Sequence, residues 1–433
     1  MTALPPAGRR ERFAWCMYDF ANSGYTTVVL TAVFNAYFVG VVAGGGEHDG
    51  SATLLWTIAM AAANGLVLLC APVLGAIADH SAAKKRFLIA STIGCILFTS
   101  LLSTVGPGDI ASGMVLVILA TVMFSAGENF IAAFLPEIAP PEHMGRLSGY
   151  GWTIGYVGGL LTLGLCIAYI QWAEAQGQAA QQYMPTTNLI VAVVFLLTAL
   201  PTLIWLRERA VAAEPHSLKG YIGVGFQRLH HTLRHARQHR DLFRFLLCLT
   251  VYGAGINTVV VLAAVYAQQV MGFTARDTLM LIMVVNVTAA VGAFTFGHVQ
   301  DRIGSRTTLM LTLIIWIIAI GIAYAGTSVT SFWLAANLIG VSLGASQSAG
   351  RALVGLFSPP QRSGEFFGLW GLAMRLAAII GPLTYGAAIY LLQGNHRLAI
   401  LSTLLFFIAG LLLLFTVNEK RGRQAAIQDH WNG

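Results

Sequence analysis

Asp19, Asn22 and Ser23 sit at i, i+3 and i+4 inside an otherwise apolar stretch, a spacing that puts all three on one helix face. Glu128 and Asn129 interrupt a second apolar stretch, and Arg351, one helical turn from Gln347, interrupts a third. Arg375 stands near the middle of a fourth, and Tyr252 and Asn257 lie in a fifth. Ionisable groups in such surroundings are expensive and usually face a cavity or a partner. The chemistry available to them is ion pairing and proton exchange. A carboxylate such as Glu128 can couple protons to movement if its cationic partner changes between two conformations; held in one pair, it only locks helices. An Arg in a cavity suits a substrate carboxylate or phosphate. Asp19, near one end of its stretch, suits a gate as well as a substrate contact.

The elements that carry these residues are long. The chain has 433 residues, 56% hydrophobic and 10% charged, and the apolar residues fall in runs. The runs are 13–41, 52–78, 87–106, 111–135, 147–172, 187–206, 242–270, 278–299, 307–326, 330–357, 364–392 and 397–417. Each is long enough to cross about 30 Å of hydrocarbon as a helix. The expected fold is an all-α integral membrane protein with twelve transmembrane helices, which leaves no room for a soluble catalytic domain.

The net charge of +7 is a topology signal. With the N-terminus inside, all but four of the 25 Lys and Arg residues fall on the inner side. Arg276 and Arg397 lie outside, and Arg351 and Arg375 lie within spans. Both termini and the central loop are therefore expected in the cytoplasm, and no nucleic-acid partner is implied. Arg9, Arg10 and Arg12 precede a full-length span, which is not the layout of a cleavable signal. The five cysteines match neither a metal site nor a disulfide framework.

The chain repeats. Gly75-x-x-x-Asp79 after the second span recurs as Gly297-x-x-x-Asp301 after the eighth. Pro140-Pro141, Gly145 and Gly149 recur as Pro359-Pro360, Gly364 and Gly368. Six spans per half make the halves parallel repeats, 1–206 and 242–433, joined by a linker at 207–241. Parallel repeats are a transporter architecture, with substrate bound between them near the midplane. Leu218, Ile222, Phe226, Leu229 and Leu233 give the linker an amphipathic basic helix suited to the inner leaflet. His231, His235 and His239 share one face of it. A metal site would also need a dry pocket and supporting partners, so a solvated basic face is expected. No metal and no cofactor are expected.

In each repeat, a glycine at the helix end allows close backbone approach, and the following carboxylate can cap a neighbouring helix across the interface. Lys84 and Arg86 follow Asp79; Arg302 and Arg306 flank the second copy. Two copies at equivalent places resemble the inter-helix loop motif of the major facilitator superfamily, although Ala82-Ala83 replaces the glycine before the first basic run. The opening Trp15-Cys-Met-Tyr-Asp-Phe-Ala-Asn-Ser23 resembles the signature of the vacuole-effluxer-like branch of that superfamily, as do 132–159 and 358–382. The resemblance implies a secondary transporter working by alternating access, with spans 1, 4, 7 and 10 lining the cavity. Asp19, Glu128, Asn257, Gln347 and Arg351 would then face one another. The branch has fungal members linked to amino-acid efflux from the vacuole and many bacterial members. One departure is that Tyr252 is followed by Gly253-Ala254-Gly255 rather than by an acidic or amide residue, leaving Asn257 as the nearest polar group.

Gly151, Gly155 and Gly159 recur every four residues, a smooth face for close helix packing. Gly381-Pro382 marks a bend. Gly340-Val-Ser342-Leu-Gly344 matches a nucleophile elbow only as letters, because it lies inside a continuous apolar run. No HExxH motif and no P-loop occur. The expected function is a proton-coupled carrier of a small polar or zwitterionic solute such as an amino acid. The alternatives are an exporter of amphiphilic, drug-like or lipid-like molecules, a membrane-embedded enzyme, or a transport-dead receptor. The expected partners are a small-molecule substrate, protons and the lipid bilayer. The chain is expected to act as a monomer in a bacterial cytoplasmic membrane.

Overall fold

A computed structural model describes residues 6–44, 51–209, 238–393 and 395–428, with isolated positions between 209 and 238. Within them, twelve helices are long and apolar enough to cross a membrane. They are α1 (Arg9–Val42), α2 (Ser51–His80), α3 (Lys84–Thr104), α4 (Ile110–Ile138), α5 (Met144–Ala175) and α6 (Ala180–Trp205), then α7 (Arg240–Met271), α8 (Ala275–Ile303), α9 (Ser305–Ala325), α10 (Val329–Phe357), α11 (Ser363–Leu391) and α12 (His396–Phe415). A short helix, α13 (Glu419–Gln428), follows. Most of the amphipathic segment expected in the linker, with His231 and His235, lies outside the described residues.

Local signals account for several ends. Thr274 caps α8 by accepting from the Asp277 N–H, while Asp277 accepts from the Thr274 N–H. Ser328 caps α10 through the Ser331 N–H. Gly272, at φ +67°, ends α7 in the left-handed region that glycine adopts without a side-chain clash. Helix α1 departs from regular geometry: Thr26–Ala32 and Phe38–Val42 are wound with wider, π-type turns.

Each half has its own apolar cluster. One centres on Trp15, Tyr25, Phe38, Phe134 and Phe195, the other on Phe245, Tyr252, Trp316, Phe357 and Phe407. Leu69, Leu165, Leu197, Leu405 and Leu412 are exposed on the outside of the bundle, where lipid replaces the missing neighbours. The halves meet chiefly along α2 with α11 and α5 with α8. Both seams depend on glycine. A Cβ on Gly75 would run into the carbonyl of Gly364, and one on Gly149 would lie 2.6 Å from the Ala293 oxygen. The end of the bundle carrying the α2–α3 and α8–α9 turns is called the motif end below.

The decoy elbow resolves as packing. Ser342 donates to the Leu338 carbonyl of its own helix, and Gly340 and Gly344 press on Thr288 and Ala289 of α8. All five cysteines are free.

Candidate functional site: a closed motif end and the cavity beyond it

At the motif end, the two repeat carboxylates sit on helix N-termini of the opposite half. Asp79 accepts the N–H groups of Gly364 and Glu365 at 2.9 and 2.8 Å, at the start of α11. Asp301 accepts the Arg146 N–H at 3.2 Å, at the start of α5, with the Arg146 guanidinium 3.5 Å away. A carboxylate there satisfies orphan donors and faces the positive end of the helix dipole. The first copy is reinforced: Lys84, fully buried, pairs with Glu137, lies 3.5 Å from Asp79 and donates to Ser363 at 2.9 Å. In the second copy, Arg306 donates to the Leu414 and Phe415 carbonyls, while Glu419 of α13 accepts the Arg306 N–H at 2.8 Å. Arg86 and Arg302 are exposed. Outside the spans, hydrogen bonds raise Arg209 (from Glu11) and Arg421 (from Asp241) above the ordinary guanidinium value.

Deeper in the bundle, Arg351 of α10 reaches Asp19 of α1 across the halves at 2.8 Å. Its Nε donates to Ser148 Oγ at 3.1 Å and its Nη2 to the Ser148 carbonyl at 2.9 Å. The Trp15 and Trp152 rings lie 4.6 and 5.3 Å from the guanidinium carbon. Asp19 is 9% exposed and Arg351 3%, so the pair is closed to solvent. Gly151 makes room for it: a Cβ there would meet both Asp19 and Arg351.

Glu128 belongs to a second pair. Arg375 of α11 donates to it at 3.0 Å and to Asn64 of α2 at 3.3 Å. Its side chains keep 17% and 28% exposure, Arg375 and Glu128 in turn. This pair is the more accessible of the two.

A cavity of about 350 Å³ begins beyond Arg351 and Asp19 on the side away from the motif end. Ser23, Thr27 and Thr31 follow Asp19 along α1 into its wall; Gln347, Leu343 and Phe332 precede Arg351 along α10 into the opposite wall. Trp152 and Tyr156 of α5 complete the inner end.

The expected grouping therefore divides. Asp19 meets Arg351, and Gln347 lines the cavity and accepts from Tyr156 Oη. Glu128 lies elsewhere with Arg375. Asn257 donates to the Gly253 carbonyl of its own helix at 2.9 Å. Asn129 packs against Gly371, Tyr252 is buried against Gly350 and Gly410, and Asn22 is buried beside Asp19 in sequence. Helices α1, α5, α7, α8 and α10 supply most of the lining, and α4 supplies none among the described residues. The reason is local: the four-residue face of α5 puts Trp152 and Tyr156 inward, while Arg375 draws Glu128 towards α11. Among the described residues, Asp19, Ser148 and two indole rings already engage Arg351. Among the described residues no group of three His, Cys, Asp or Glu side chains could hold a metal ion.

Ser148, Trp152 and Asn64 were not singled out in the sequence. The signal for two of them was present, since Ser148, Trp152 and Tyr156 recur every four residues beside the glycine stripe. Asn64 carried none.

Comparison with known proteins agrees with this architecture. A family model described as "Vacuole effluxer Atg22 like" matches residues 38–427. An uncharacterised MFS-type transporter, YxiO of Bacillus subtilis (strain 168), is 27% identical over 427 residues, 97% of this chain and 98% of that protein. Autophagy-related protein 22 of Saccharomyces cerevisiae (strain ATCC 204508 / S288c) is 25% identical over 317 residues, 65% of this chain and 58% of the yeast protein. Among solved structures, the human organic anion transporter MFSD10 superposes with a TM-score of 0.73 at 14% identity, covering 95% of this chain and 100% of that one. The proton:xylose symporter XylE gives 0.72 at 14% identity, covering 96% of both chains. At these identities the structures establish the fold alone.

Proposed function

The chain belongs to the vacuole effluxer Atg22-like family of major-facilitator transporters, and from that premise we propose that it is a proton-coupled secondary carrier working by alternating access. The observation that carries this reading is the pairing of a closed end with a cavity. Two carboxylates, Asp79 and Asp301, tie each half to a helix N-terminus of the other, and the 350 Å³ space lies beyond them. Releasing these caps and closing the other end exchanges the side from which the cavity is reached. Lys and Arg clustering in the sequence supports a cytoplasmic motif end, and on that reading this conformation is the one closed to the cytoplasm. A bacterial cytoplasmic membrane is the proposed location.

Glu128 is the proposed proton carrier. It is the accessible carboxylate deep in the bundle, and its partner Arg375 stands on the opposite half, so rocking of the halves changes their separation. A small polar or zwitterionic solute, amino acids first, is the substrate reading from sequence. The cavity favours the amphiphilic alternative, because Phe332, Leu343, Ile339 and Val285 dominate its walls.

The test is flux in proteoliposomes under an imposed pH gradient, after a thermal-stability screen of purified protein has named a ligand. Solute accumulation driven by the gradient and lost in Glu128→Gln, with counterflow kept, supports the reading. Accumulation by that variant equal to wild type removes Glu128 from the coupling step.

A further inference from the structure

We infer that the cavity between α1, α5, α7, α8 and α10 is a binding site for an uncharged amphipathic molecule, one with an apolar body and a hydrogen-bond-accepting oxygen for Trp152. The inference rests on the carrier reading for its biological role, but its chemistry comes from the lining.

None of the described lining residues is charged. At the inner end of the cavity, Asp19 and Arg351 lie beyond Trp152, whose ring covers the guanidinium at 5.3 Å; at the outer end, the Arg397 guanidinium contacts the lining residue Tyr266 and donates to the Gly326 carbonyl. An ionised group seated at the inner end, against Trp152, would shed its water without gaining a counter-charge, because Asp19 and Arg351 are already paired at 2.8 Å, and that is costly in a low-dielectric site.

The polar lining is mostly occupied by the protein itself. Thr258 donates to the Ala254 carbonyl, Tyr266 to Ala323, and Asn286 to Ile282. Tyr156 donates to Gln347. Trp152 differs: its indole nitrogen is buried without a hydrogen-bond partner among the described residues. A buried N–H left unsatisfied is unfavourable; the Trp152 N–H is closed off in this conformation, and a turn of the ring towards the cavity on binding would let a ligand carbonyl, ether or hydroxyl oxygen relieve it. The remaining walls, with Phe332, Leu281 and Leu343, offer only apolar contact. A volume of about 350 Å³ is in the range of small-molecule sites.

The test uses four compounds of one shape and different charge, with the detergent-purified full chain. They are N-acetylphenylalanine amide (neutral), phenylalanine amide (cation), N-acetylphenylalanine (anion) and phenylalanine (zwitterion). Binding is read by tryptophan fluorescence and by the thermal midpoint. The neutral compound is expected to bind at least tenfold more tightly than the other three, about 1.4 kcal/mol. Trp152→Phe should weaken it about fivefold, the loss of one hydrogen bond. If that variant is misfolded, Leu343→Trp, which fills the cavity, should abolish binding while the midpoint without ligand stays near wild type. Equal or tighter binding of a charged member overturns the inference, and so does binding of none. Flux of the neutral compound into sealed vesicles is read separately: binding without flux overturns the carrier reading and leaves the site standing.

Discussion

Asp19 and Arg351, 332 residues apart, form a bidentate pair that joins the two halves below the cavity, with hydrogen bonds of 3.1 and 2.8 Å to one guanidinium nitrogen. Helix α5 holds the same guanidinium from the side through Ser148. Three helices therefore converge on one cation, and opening the motif end must either break this cluster or carry it with one half.

Removing one member leaves the other charge buried and unpaired, at a cost of about 3–5 kcal/mol. Arg351→Gln and Asp19→Asn should each lower the thermal midpoint in detergent and abolish flux. The double variant should recover much of the midpoint but not the flux, because neither charge is then stranded. A double variant as unstable as the worse single one would argue against charge pairing as the main contribution. Arg351→Lys should not rescue, since Lys lacks the planar fork that meets Asp19 and Ser148 together.

Glu128 and Arg375 form an accessible cross-half pair, so their roles should separate by pH. Glu128→Gln should make counterflow independent of pH between 5 and 8, on the order of the range in which a coupled carboxylate acts. Arg375→Gln should keep a pH dependence, because Glu128 is still there to exchange the proton. Flux measured against pH in both variants checks this. A Glu128→Gln profile as steep as wild type would move the proton to Asp19.

Much of this was legible in the sequence. The twelve apolar runs gave the spans because bilayer thickness leaves a helix few alternatives. The two Gly-x-x-x-Asp copies gave the caps, because a carboxylate past a helix end has few partners other than backbone N–H groups. Pairing inside the bundle was less legible. Asp19, Glu128, Arg351 and Arg375 permit more than one matching, and the choice depends on helix rotation set by packing. Gly151 settles one match by opening space between α1 and α5; Asn64, a lone amide in α2, settles the other by holding Arg375. The exclusion of α4 from the cavity wall was hidden for the same reason.

The two repeat motifs are not equivalent, and their variants should differ. Asp79 is wired to Lys84, and through it to Glu137 and Ser363, whereas Asp301 faces the half-exposed Arg146 and His143. Asp79→Asn should shift the population towards the state open at the motif end, read as increased labelling of a cysteine introduced at the buried Ser358, whose hydroxyl bonds, among the described residues, only within its own helix. Asp301→Asn should shift it less, because solvent already screens its partners. Equal labelling in the two variants would contradict the asymmetry.

Gly151 allows a sharper experiment, because it touches the ion pair without carrying charge. A methyl there would press on Asp19, the Arg351 guanidinium and the Trp15 ring, and the backbone of α5 is held by Ser148 and by its seam with α8. The side chains must yield, and the pair with them. Gly151→Ala should therefore behave as a weakened Asp19–Arg351 pair, with a lower midpoint and a motif end that opens more readily. Gly164, on the same helix with open space around it, is the control: Gly164→Ala should match or slightly exceed wild-type stability, by about 1 kcal/mol at most. If both alanines behave alike, the effect at Gly151 is one of helix propensity. If only Gly151→Ala loosens the motif end, the space it leaves is what lets three helices share one arginine.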